Sequence, residues 1–62
     1  MAGFKTKHSS YFIDGTNKRI TGGYFGDAWV PYVHLQAMIG CNAIIKLFDG
    51  RVVTTGVVTG YF

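Results

Sequence analysis

The chain has 62 residues, six Lys and Arg against three Asp, no Glu and one cysteine. It is long enough for one domain only. It cannot form an internal disulfide, and with only His8, His34 and Cys41 as imidazole or thiol donors it falls short of the four ligands usual at a structural zinc. The net charge of +3 is dispersed along the chain, which suits an anionic partner without forming a polybasic tail.

A chain this short buries only about 60% of the surface that its unfolded form exposes. Reinforcement by a second copy or an obligate protein partner is therefore expected. The opening residues Met1 to Lys7 are too polar for a secretory leader. The most apolar window, Ala28 to Phe48, is broken by Pro31, His34, Gln36, Asn42 and Lys46, whereas a spanning helix wants about 20 mostly apolar residues. With a lone cysteine, these features predict a cytoplasmic protein without a membrane partner.

In chain order, Phe4 to His8 alternates weakly and predicts an edge strand, its lysines discouraging further pairing. Ser9 to Ile13 is rich in aromatic and β-branched residues and predicts a strand. Asp14-Gly15 signals a hairpin turn, because a type I′ turn needs φ > 0 at both central residues. The loop Asp14-Gly15-Thr16-Asn17 reverses the chain and Lys18 to Thr21 returns, with Ile13 opposite Lys18, Phe12 opposite Arg19 and Tyr11 opposite Ile20. Gly22 and Gly23 allow a bend before Tyr24-Phe25, and Gly26-Asp27 marks another turn.

The middle reads two ways. Pro31 suits the first turn of a helix, Leu35 to Met38 favour helix and Gly40 suits a helix stop, which predicts a short helix over 31–39 with Tyr32, Leu35 and Ile39 on one face. The same residues also alternate, as in a strand. Beyond them, Ala43 to Phe48 and Arg51 to Thr59 predict a second hairpin around Asp49-Gly50. A two-residue turn pairs Phe48 with Arg51, Leu47 with Val52, Lys46 with Val53 and Ile45 with Thr54. One face then holds Ala43, Ile45, Leu47, Val52, Thr54 and Val58 as core. The other holds Ile44, Lys46, Phe48, Arg51, Val53 and Val57, a mixed apolar and cationic face of the kind found at interfaces.

The two hairpins echo each other. Phe12-Ile13-Asp14-Gly15 leads to Gly23-Tyr24-Phe25, and Leu47-Phe48-Asp49-Gly50 leads to Gly60-Tyr61-Phe62. The fold expected is mainly β: a small antiparallel domain of four or five strands with one short helix in the middle. It is either an SH3-like or other small barrel, or an open sheet completed by a second copy along the last strand.

No motif for catalysis, cofactor binding or phosphate binding stands out. Asp14, Asp27 and Asp49 all lie in turns, where Asp has a backbone reason to be. Cys41 reads as a small buried apolar residue, and no glycine loop has the GxxxxGK[ST] pattern. The protein is expected not to be an enzyme. Ten aromatics among 62 residues are more than so small a core can hold. Exposed aromatics beside Lys and Arg anchor protein interfaces, and they also stack the bases of single-stranded nucleic acid.

Residues 44–53, Ile44-Ile45-Lys46-Leu47-Phe48-Asp49-Gly50-Arg51-Val52-Val53, followed by Gly56-Val57-Val58, resemble the first half of the Sm-like RNA-binding motif. That family has an apolar strand, an Asn/Asp-Gly turn and a strand with a glycine. The likeness covers about a third of the chain; there is one extra residue before Gly56, and no second motif follows. The resemblance implies RNA near Asp49, Gly50 and Arg51.

Two functions follow. The first is a non-catalytic protein-binding module: an inhibitor, adaptor or assembly subunit, such as phage and mobile elements encode against host defences. Its contacts would be Phe48, Arg51, Lys46, Tyr61, Phe62 and Trp29. The alternative is a single-stranded RNA- or DNA-binding small barrel that uses Lys18, Arg19, Lys46 and Arg51, with Tyr11, Tyr24 and Phe48 stacking bases.

Overall fold

A computed structural model describes residues 2–62. It contains six strands: β1 Ala2–Thr6, β2 Ser10–Asp14, β3 Arg19–Gly22, β4 Val30–Gln36, β5 Asn42–Leu47 and β6 Val52–Tyr61. A single 3-10 turn, Gly23–Phe25, lies between β3 and β4. Each strand runs antiparallel to the next around a ring, and β6 returns to pair with β1. The mainly β, barrel-like expectation holds, with six strands instead of four or five. β1 is paired on both sides and is not an edge. β6 pairs with β5 over residues 52–57 and with β1 over residues 58–61.

The ring closes unevenly. Only Arg19 with Pro31 and Ile20 with Val30 join β3 to β4, so the rest of β4 runs on past β3. Inside sit Phe4, Tyr11, Ile20, Tyr32, Ala43, Ile45, Leu47 and Val58. Fully burying one of the larger of these is worth about 1.5–3 kcal/mol, which makes this cluster the main source of stability. Phe4 stacks on Tyr11 with ring centroids 4.8 Å apart. The Tyr11 hydroxyl accepts a hydrogen bond from the Tyr24 backbone N–H at 3.2 Å. Gly23 lies against this ring at φ +47, and a Cβ there would run into Tyr11. The one buried polar side chain, Thr55, accepts from the Ala43 N–H at 3.2 Å and donates to the Gly56 carbonyl at 2.8 Å.

Residues 31–39 are not helical: β4 spans Val30–Gln36. Pairing of Tyr32 with Leu47, Leu35 with Ile45 and Gln36 with Ile44 outweighs the helix propensity of Leu35 to Met38. A bulge at Val33–His34 explains the ambiguity. One extra residue puts Tyr32 and Leu35 on the same side of a strand, an i, i+3 spacing that imitates a helix. Ile39, expected beside them, is instead 58% exposed.

Both hairpins depart from the expected register: the first keeps a four-residue loop but shifts it by one residue, and the second replaces the expected two-residue turn with a longer one. In the first, Asp14 pairs with Arg19 and Ile13 with Ile20, two residues away from the expected register. The loop is Gly15 to Lys18, and the left-handed residue is Lys18 at φ 51, not Gly15. The Asp14 carboxylate shapes this loop by accepting from the Asn17 N–H at 3.3 Å and the Asn17 amide at 2.9 Å. In the second, the Gly50 N–H donates to the Leu47 carbonyl and the Leu47 N–H to the Arg51 carbonyl, with Gly50 at φ +95. That is a three-residue loop, a type I turn followed by a left-handed glycine.

The extra loop residue pairs Lys46 with Val52 and Ile45 with Val53. A slip of one residue swaps the faces of a strand. Val53 and Thr55 therefore point inward, while Val52 and Thr54 are exposed, the reverse of the expectation. A bulge at Thr55–Gly56 restores the phase, so Val58 is core as expected. Cys41, expected to be buried, is exposed in the β4–β5 connection.

Candidate functional site

The six residues expected to contact a protein do not form one patch. Lys46 points outward from β5, between its cross-strand partners His34 and Val52. Phe48, 75% exposed, and Arg51 flank the β5–β6 turn below it. Arg51 is tied locally, its Nε donating to Asp49 Oδ2 at 2.8 Å. Tyr61 and Phe62 lie at the far end of β6, which runs Val52–Tyr61. Of the residues expected to bind nucleic acid, Tyr11 cannot stack a base, because it is core and only 4% exposed. Tyr24 and Lys18 are exposed.

What the structure does assemble is a strip across β2, β3 and the start of β4. Strand alternation turns Phe12 and Asp14 outward, because Tyr11 must face the core. Phe12 stacks on Phe62, with centroids 5.4 Å apart and planes 5° from parallel. The Phe62 N–H donates to the Gly3 carbonyl at 3.0 Å, which seats the ring. Only glycine fits at position 3, since a Cβ there would run first into the Tyr11 carbonyl oxygen and then into the Phe62 ring at 2.7 Å. Across the next strand pair, Arg19 lies with its guanidinium carbon 4.9 Å from the centre of the Trp29 ring, and its Nε donates to Asp14 Oδ2 at 3.1 Å.

The bonds from Asn17, and then the Arg19 guanidinium, hold the Asp14 carboxyl below its usual range. Asp49 is lowered in the same direction, chiefly by the Arg51 N–H and then by the Arg51 guanidinium.

Beside the strip, the rise of β4 past β3 opens an apolar groove of about 360 Å³. It is lined by Phe4, Ile13, Leu35, Ala37, Tyr61 and Phe62, among others. The Tyr61 hydroxyl donates to the Ala37 carbonyl at 2.7 Å and ties β6 across the groove to the end of β4. Tyr61 and Phe62 were legible as surface residues from the sequence. Phe12 was not selected as a contact, although its opposite phase to Tyr11 was a usable signal. Met38 and Ile39, 55% and 58% exposed, were hidden by the helical reading.

Among the described residues no three His, Cys, Asp or Glu side chains come together as a metal site. No helix is long and apolar enough to cross a membrane. Comparison with family profiles, curated proteins and solved structures gives no match for this chain. The Sm-like resemblance of residues 44–58 therefore gains no support from a family, and Arg51, which it would bring to RNA, is engaged by Asp49.

Proposed function

We propose that this protein is a non-catalytic protein-binding module, acting as an inhibitor, adaptor or assembly subunit. Its main contact surface is the strip Phe12, Phe62, Arg19 and Trp29 with the adjoining Tyr61 groove. Lys46, Phe48 and Arg51 form a second, separate patch.

One observation carries this reading. Among the described residues, twelve large hydrophobic side chains are exposed, against eight hydrophobic residues in the core. A domain of marginal size gains most by covering such side chains, at about 25 cal/mol per Å² of apolar surface removed from water. The composition of the strip, with Trp, Tyr, Phe and Arg, is that of residues enriched at interfaces. Self-association is part of the proposal, since a second copy is one way to cover these side chains. The exposed thiol of Cys41 suits the cytoplasmic setting proposed for it.

The nucleic-acid alternative is the weaker reading. Tyr11 lies in the core and cannot stack a base, and Arg51 is engaged by Asp49.

Light scattering on a sizing column, with absorbance at 260 and 280 nm, tests the proposal on protein isolated from cells. The expected result is a protein-only species heavier than the 6.8 kDa chain. A peak that absorbs excess light at 260 nm and sheds it in high salt would overturn the proposal, because release of phosphate counterions makes nucleic-acid binding steeply salt-dependent.

A further inference from the structure

We infer that the Arg19–Trp29 corner and the Phe12–Phe62 stack form a two-point receptor for an extended protein segment, in which a Glu or Asp is followed two residues later by an apolar side chain. The inference rests on the protein-binding reading and names the chemistry of the partner.

The first point is the Arg19 fork. Trp29 supports the guanidinium at 4.9 Å, and Asp14 Oδ2 fixes its Nε at 3.1 Å. The two terminal nitrogens have no hydrogen-bond partner among the described residues. A guanidinium held this way has lost little freedom left to lose, and its planar fork matches a carboxylate. Lys18, exposed in the neighbouring turn, places a second cation next to Arg19 in the sequence. The excess charge of the whole protein, +3, favours approach of an acidic segment.

The second point is the stacked pair Phe12–Phe62, a flat apolar platform. Phe12 pairs with Thr21 and Asp14 with Arg19, so Phe12 and Arg19 are diagonal neighbours on one face. Such neighbours lie about 7–8 Å apart. Residues i and i+2 of an extended strand point the same way and are separated by roughly 6.6 Å. The backbone spacing of Phe12 and Arg19 is thus close to the i, i+2 repeat of an extended segment.

A nucleic-acid strand fits less well. It presents a row of phosphates and needs a row of cations, while this corner has one fork and one lysine next to a carboxylate.

The test is a titration of ¹⁵N-labelled protein with the peptide acetyl-Ser-Thr-Glu-Thr-Leu-Thr-Ser-amide and with the same peptide carrying Gln for Glu. The expected result is that the Glu peptide shifts the Arg19 Nε–H, the Trp29 indole N–H and the Phe12 and Phe62 amides. The Gln peptide should bind at least tenfold more weakly. Arg19→Lys keeps the charge but loses the fork and should weaken the Glu peptide at least fivefold; Trp29→Ala should do the same, and dispersed spectra check both variants for folding.

Equal binding of the two peptides, an undiminished Arg19→Lys, or no shift at these signals would overturn the inference. So would a stronger effect of a thymidine octanucleotide on the same signals. Shifts of these signals on dilution without peptide would assign the corner to a second copy and also overturn it. A protein-only heavy species on the sizing column, together with a failed titration, would sink this inference and leave the protein-binding reading standing.

Discussion

Replacing Gly50 and Gly15 separately by alanine isolates what sets the strand register. Each follows an Asp in a hairpin loop, and at neither would a Cβ meet an atom within 4 Å. They differ in backbone: Gly50 has φ +95, while Gly15 is not among the positive-φ residues. With no steric cost, Gly50→Ala is penalised only for forcing an L-residue into the left-handed region, about 1–2 kcal/mol. Gly15→Ala restricts the unfolded chain without straining the folded one and should stabilise by about 0.4–1 kcal/mol. A domain of this size has a total stability of roughly 3–9 kcal/mol, so both effects are readable. At a urea slope of about 1 kcal/mol per M, Gly50→Ala should lower the midpoint by about 1–2 M and Gly15→Ala should raise it by up to about 1 M. The fluorescence of Trp29, the only tryptophan, follows the transition. Loss of stability at both positions would mean that Gly15 also takes a left-handed backbone and that the first register is wrong.

Further expectations follow from the core and the carboxylates. Ile45→Ala, at a site with no exposure, should cost about 2–5 kcal/mol and leave a large unfolded fraction at room temperature. Wild-type thermal stability in that variant would refute the central place given to Ile45. Tyr11→Phe keeps the stack on Phe4 but strands the Tyr24 N–H, for a loss of about 0.5–1.5 kcal/mol by denaturant midpoint; a neutral result would show that water replaces the hydroxyl. Asp14 and Asp49 are both held below their ordinary value of 3.8, so the folded form binds protons less readily than the unfolded form. Their contribution is present above that value and is lost as pH falls through their lower folded values. Asp14→Asn with Asp49→Asn should flatten the acid limb of stability against pH, and an unchanged slope would contradict the assignment.

Much of the fold was legible because alternation is a strong signal. The inward positions of β5 (Ala43, Ile45 and Leu47) could be read directly, as could the existence of both hairpins. What failed did so at irregularities. Asp-Gly indicates a turn but does not count its residues. The αL position fell on Lys18 in one loop and on Gly50 in the other, and the single extra residue in the second loop reversed the faces of Val52 to Thr55. The bulge at Val33–His34 gave β4 a helical spacing, and only pairing with β5, a tertiary contact, decides between the readings. The strip proposed as a contact surface is not legible in the sequence for a related reason. Phe12, Arg19 and Trp29 come together only through the true register of β2, β3 and β4, while Phe62 reaches Phe12 through closure of the ring by β1 and β6.

The most direct test of the central claim is affinity capture from cells in high salt, comparing wild type with a Trp29→Ser, Phe62→Ser double variant of proven fold. The account predicts a stoichiometric protein partner, this chain itself included, retained by the wild type and lost from the variant. Partners unchanged by the two substitutions, or recovery of nucleic acid alone, would contradict it.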